Sequence, residues 1–165
     1  MHGRTRWIVV AALMWSGAAV GCAGGEEEED LSRELYDLSI AGDAYKSWQM
    51  FPGAATELYA SGQHNGDFVR SYMNDVAFAA LSGFSGEFPD GSILVKEQYA
   101  DAAGETLNGH TVMWKRAGYD PEHGDWYWVA YTGAGATTKH NGQAPYCYDC
   151  HAAVKATDWV YTSFQ

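Results

Sequence analysis

Residues 110–133 read HTVMWKRAGYDPEHGDWYWVAYTG, and this stretch decides the fold class. HTVMWKRAG has the β-branched and aromatic content of a strand. GYDPEHGD is a tight connection, and WYWVAYTG is a second strand, apolar on both faces. The same reading extends upstream. SILVKEQYA is a strand that follows the turn FPDG, with Pro89 and Gly91 in turn-forming places. DFVRSYMN alternates, with Phe68, Arg70 and Tyr72 on one face and Val69 and Ser71 on the other. DVAFAALSGF is a short helix closed by Gly83. DLSRELYDLSIAGDAYKSW is a helix with Leu35, Leu38 and Tyr45 at helical spacing, ended or bent at Gly42. Downstream, TGAGATTKHNGQAPY reads as a long glycine-rich loop, a kind that often carries function. No internal repeat is visible. The expectation is a mainly β (α+β) single domain, with an antiparallel sheet and a few short helices.

The N-terminus has a different character. Arg4 and Arg6 precede WIVVAALMW, an apolar run too short for an ordinary membrane span, and SGAAVGC follows it. A cysteine after small residues resembles a bacterial lipoprotein signal, in which Cys22 becomes the lipid-bearing N-terminus. Residues 1–21 are then a signal peptide. Residues 22–34, with the run EEEED, are an acidic flexible tether, and 35–165 the folded domain. The expected location is the bacterial cell envelope, facing the periplasm and held to a membrane surface by acyl chains. The formal net charge is −11, or −13 without Arg4 and Arg6. Such a balance argues against a nucleic-acid partner, since phosphate binding needs a basic surface. Aromatic residues form 15% of the chain, with seven Trp and eleven Tyr, enough to enclose a large planar ligand.

Chemistry concentrates at APYCYDCHAAV, where Cys147, Cys150 and His151 follow one another closely. A zinc site needs about four N or S ligands, usually with a second close pair, and no such pair exists. A structural disulfide suits an oxidising compartment but gives His151 no role. The third reading fits best: this spacing is the signature of covalent haem attachment, through two thioethers, with His151 as axial iron ligand. Only AAVKATDWVYTSFQ follows, without Met or His, so any sixth ligand comes from upstream. Met73 and Met113 are the available thioethers, although Met is ordinarily core filler. Iron left open on one side binds small molecules.

NGDFVRSYMNDVAFAAL, GEFPDGSILVKE, VMWKRAGYDPEHGDWYWV and APYCYDCH together resemble the cytochrome P-460 and cytochrome c′-beta family. The resemblance implies a largely antiparallel β domain, usually a homodimer, with one haem c near the C-terminus. P-460 members oxidise hydroxylamine; their c′-beta relatives bind nitric oxide and carbon monoxide. In P-460 members a lysine is bonded to a meso carbon of the haem, and Lys96 matches that position. Arg70 matches a distal-side arginine, whose guanidinium donates hydrogen bonds to an iron-bound nitrogen oxide. The alternative for Arg70 is a structural ion pair. One departure stands out: P-460 enzymes use a distal carboxylate from the stretch before the haem motif, whereas no Asp or Glu lies between Asp125 and Asp149. Lys139, His140 and Gln143 occupy that stretch, and His140 is the candidate proton relay. Trp126, Trp128, Tyr131 and Tyr146 are candidate haem walls or plain core. The resemblance thus favours a hydroxylamine-oxidising enzyme that passes electrons to another envelope cytochrome. The competing functions are a non-enzymatic nitric oxide binder and a small electron-transfer cytochrome.

Overall fold

The computed structural model describes residues 24–51, 58–61, 64 and 68–161; Cys22 and the expected signal peptide over residues 1–21 lie outside them. Among the described residues, seven strands form one antiparallel sheet. They are β1 (Gln49–Met50), β2 (Tyr59–Ala60), β3 (Phe68–Met73), β4 (Ile93–Tyr99), β5 (Leu107–Lys115), β6 (Trp126–Thr132) and β7 (Thr137–Gly142). From β3 to β7 the strands pair in chain order, and β1 and β2 share the outer edge of β3. The α-helices among the described residues are α1 (Gly24–Ser39), α2 (Asp75–Leu81) and α3 (Pro145–His151). None of the described helices is long and apolar enough to cross a membrane. The mainly β, α+β expectation agrees with this architecture.

Strand alternation sorts the residues between the two faces. On the first face, Tyr72, Val95, Val112 and Val129 meet Leu31 and Leu35 of α1, together with Tyr45. Tyr45 belongs to a 3₁₀ turn over Ala41–Ser47, where Gly42 takes φ 62° and bends the chain as its glycine predicts. On the second face, Met73, Leu94, Met113 and Trp128 meet Ala77 of α2, Phe88, and Trp159 and Val160 near the C-terminus. β6 serves both layers, which explains its continuous apolar sequence. Asn74 sets the joint between β3 and α2. Its side chain accepts the Ala77 N–H at 3.0 Å as an N-cap and the Ile93 N–H at 3.1 Å, and donates to the Gly91 carbonyl at 2.9 Å.

Two expectations change. The acidic run is not a flexible tether, because Glu26–Asp30 form the opening turns of α1. Carboxylates are favourable at a helix N-terminus. The helix is then fastened to the sheet: Tyr127 donates its hydroxyl to the Glu28 carbonyl at 3.0 Å, and Leu31 and Leu35 are buried behind it. The folded domain therefore begins ahead of residue 35. The glycine-rich segment is not one long loop either. It makes a tight turn and then β7. The turn needs Gly135, whose φ is 85° and where a Cβ would lie 2.5 Å from the Tyr36 hydroxyl.

Candidate functional site

Helix α3 carries the CYDCH motif. Pro145 opens it, a residue whose fixed φ and missing N–H suit a first helical turn. Positions three and four apart share a helix face, so Cys147, Cys150 and His151 sit together. The two cysteines are not joined to each other. All three border a cavity of about 590 Å³ between α3 and the second face of the sheet, within the range of cofactor pockets. Its floor is the row Ser71, Lys96, Thr111 and Ala130, which strand register places side by side. Leu94, Met113, Trp128 and Val160 make an apolar wall.

His151 is fixed from behind. Its Nδ1 donates to the Trp159 carbonyl at 2.6 Å, and the Trp128 ring stands edge-on at 4.8 Å. With Nδ1 carrying the hydrogen, Nε2 keeps a free lone pair. Burial, helped by the Lys96 charge, holds the imidazole pKa down at about 4 against the opposing Trp159 bond. The histidine is thus neutral at physiological pH, the state a metal ligand requires.

The Trp159 carbonyl points to His151 because Asp158 and Trp159 both take left-handed backbone, at φ 55° and 64°. Such a conformation costs roughly 1–3 kcal/mol per non-glycine residue. Surrounding bonds hold it. The Lys115 ammonium lies 2.8 Å from both Asp158 carboxylate oxygens. Phe88 donates its N–H to the same carboxylate, and Trp126 Nε1 donates to the Asp158 carbonyl, each at 2.8 Å.

Lys96 reaches into the cavity, where no Asp or Glu occurs among the described lining residues. Its neighbour Glu97 points to the opposite face, where it is 1% exposed. Burial lowers the Lys96 ammonium pKa to about 8, with only Cys150 acting against it. On that opposite face Tyr45 donates to Glu97 Oε1 at 2.6 Å and Tyr99 at 3.1 Å, while Arg70 Nε lies 3.3 Å from Oε2. Arg70 is therefore held away from the cavity, in the ion pair that its strand alternation with Ser71 enforces. A distal hydrogen bond from Arg70 has no geometric basis in this arrangement.

The remaining candidates divide. His140 borders the cavity, its ring stacked on Tyr146 at 4.7 Å and 23°. Trp128, Tyr131 and Tyr146 border it too, although the Tyr131 ring packs on the first face against Tyr36 and its hydroxyl donates to the Ser32 carbonyl; Trp126 is core. Met113 borders the cavity and Met73 is buried in the core. Sequence reasoning passed over His64, which enters the cavity with Nε2 at 3.1 Å from Lys96 Nζ. Nothing local marked it, since a lone histidine in a polar segment has no periodicity. Burial lowers its pKa to about 3, followed by the nearby Lys96 and His151.

These residues fit a haem. Paired thiols and a neutral imidazole share one rim of a largely apolar cavity. Trp128 Nε1 is also buried there without a hydrogen-bond partner among the described residues, a donor that a bound group can satisfy. No curated protein matches the sequence. The cytochrome P460 family model matches residues 42–162, which include β3 to β7, the cavity and the CYDCH motif, and the chain therefore belongs to the cytochrome P460 family of haem cytochromes.

Proposed function

We propose that the protein is an envelope-located mono-haem c-type cytochrome that oxidises hydroxylamine at a Lys96-modified haem and passes the electrons to another cytochrome. Cys147 and Cys150 hold the haem through thioethers, and His151 ligates its iron. The bound haem supplies the iron at which a small nitrogen compound binds and gives up electrons. The observation that carries this reading is the placement of Lys96. Its amine lies in the same cavity as the attachment residues, with no Asp or Glu among the described residues that line it and with a lowered pKa. A lysine in that state has a nucleophilic fraction at neutral pH.

His140, at the cavity wall, is the proposed proton relay for substrate. Cys150 is exposed, which leaves that side of an attached haem open to an electron-accepting cytochrome. A lipid on Cys22 anchors the domain to the membrane surface, and a homodimer is the proposed assembly.

One observation favours a second reading, a nitric oxide binder that does not turn over. Among the described residues lining the cavity there is no Asp or Glu. General-base help is commonly worth roughly a hundredfold in rate. The absorption spectrum of the ferrous protein separates the two. A nitrogen on a meso carbon changes the conjugation of the macrocycle and moves the Soret band far to the red. Wild type with that band, consuming hydroxylamine in the presence of an added oxidant, supports the enzyme. Identical spectra for wild type and Lys96→Ala replace it with the nitric oxide binder.

A further inference from the structure

His64 stands in a chain of polar groups that begins at Lys96. Lys96 Nζ lies 3.1 Å from His64 Nε2; His64 Nδ1 lies 3.5 Å from the Gln98 amide; the amide lies 3.3 Å from Thr111 Oγ1. Lys96 and Gln98 alternate on one strand and therefore share the cavity face. Thr111 is the cross-strand partner of Lys96. Gln98 is 5% exposed, so its amide has few alternatives to these partners.

Hydrogen-bond roles around this chain follow from donor counting. A lysine amine at Nε2 leaves the imidazole hydrogen on Nδ1. The Gln98 amide, whose oxygen and nitrogen are interchangeable by rotation, then presents its oxygen to that hydrogen. Thr111 turns its hydroxyl to donate to the same oxygen. This orientation leaves Nε2 as an acceptor towards Lys96. A nucleophile, a base within reach and a third group orienting the base is the arrangement that activates nucleophiles generally.

We propose that His64, oriented by Gln98, positions the Lys96 amine and accepts its proton when Lys96 is joined to the haem; this rests on the lysine-modified haem proposed above. The new bond joins Lys96 Nζ to a meso carbon, and each partner loses one hydrogen. The two electrons released pass to a two-electron oxidant of the peroxide class, which leaves as water. The proton from nitrogen passes to His64 Nε2. Once the nitrogen lone pair is committed to carbon, its remaining hydrogens become far more acidic, so a weakly basic imidazole suffices. His64 also takes left-handed backbone, at φ 56°, a conformation that persists where the surroundings hold it.

The test uses the full-length holoprotein and reads the linked Lys96–Cys147–Cys150 peptide and the ferrous spectrum after peroxide treatment. His64→Asn suits the left-handed backbone but is too short to reach Lys96; His64→Gln restores an acceptor of similar reach. Linked product is expected to form roughly tenfold to a hundredfold more slowly in His64→Asn, the usual scale for a misplaced reacting group. His64→Gln recovers much of the rate. Gln98→Leu slows linking as well, with its thioether-bound haem retained. Equal linking in wild type and His64→Asn overturns the role of His64 and leaves the lysine-modified haem standing. A wild type without linked peptide overturns both. Should His64→Asn carry no haem, a His64→Gln protein that holds haem decides the matter: linking near the wild-type rate supports the acceptor role, and none overturns it.

Discussion

The His151 imidazole and the Trp159 carbonyl are joined at 2.6 Å, across eight residues that turn back under the ring. The backbone that delivers this carbonyl is left-handed at Asp158 and Trp159 and is tied down by the buried Lys115–Asp158 pair. Ligands of metals are commonly oriented by such outer partners, whose loss weakens metal affinity or changes its electronics.

Asp158→Asn should therefore destabilise the protein and disturb the iron together. Lys115 is 4% exposed and would keep its charge beside only the exposed Glu87 carboxylate, 3.4 Å away. Breaking a buried pair in this way costs about 3 kcal/mol. Denaturant titration is expected to show that loss, and electrochemistry a shifted midpoint potential. Unchanged values for both would mean that the pair does not support His151.

Lys96 supplies a pH signature. Its folded pKa is near 8, against 10.5 for an ordinary lysine. Between these values the unfolded chain binds the proton and the folded one does not, so stability rises with pH in that window. Below pH 8 the buried ammonium costs stability in protein that is not linked. Lys96→Met is expected to be more stable than unlinked wild type at pH 7, with the gap closing towards pH 10. About a tenth of the amine is neutral at pH 7, so linking should speed up with pH and level off above about 8. A pH-independent rate between 6 and 8 would contradict this.

Arg70 is expected to matter for stability rather than for ligands. Arg70→Met leaves Glu97 buried with its tyrosines but without its cation. The cost should be about 2 kcal/mol, below that of a fully buried pair because Arg70 is 28% exposed. Nitric oxide affinity and the haem spectrum should stay as in wild type. A large change in either, with stability intact, would return Arg70 to the cavity.

Attachment is tested by extraction. Protein made with cytochrome c maturation machinery should keep its colour through denaturation and acid-acetone. Cys150→Ala should lose most holoprotein, because one thioether and the geometry beside His151 go together. Haem released into the solvent from wild type would remove the covalent assignment.

The proposed membrane anchor rests on Cys22. Wild type is expected to partition with detergent, and Cys22→Ala to be released into the soluble fraction. Wild-type protein recovered without detergent would count against lipidation and leave the haem site untouched.

The sequence by itself determined what local spacing determines. Alternation in DFVRSYMN separated the faces of β3, SILVKEQYA marked the strand β4, and Cys147, Cys150 and His151 marked the motif that α3 carries. These are properties of neighbouring residues, and the period of a strand or helix carries them. The tertiary structure decided the rest. The acidic run reads as solvated tether until Tyr127, 99 residues away, donates its hydroxyl to the Glu28 carbonyl and fastens it to the sheet. Arg70 could be matched to a family position, but register with Glu97 drew its side chain to the far face. His64 meets Lys96 across 32 residues, and Trp159 reaches His151 only through two left-handed residues. Burial and long-range pairing depend on which strands lie side by side, and no local pattern in the chain encodes that.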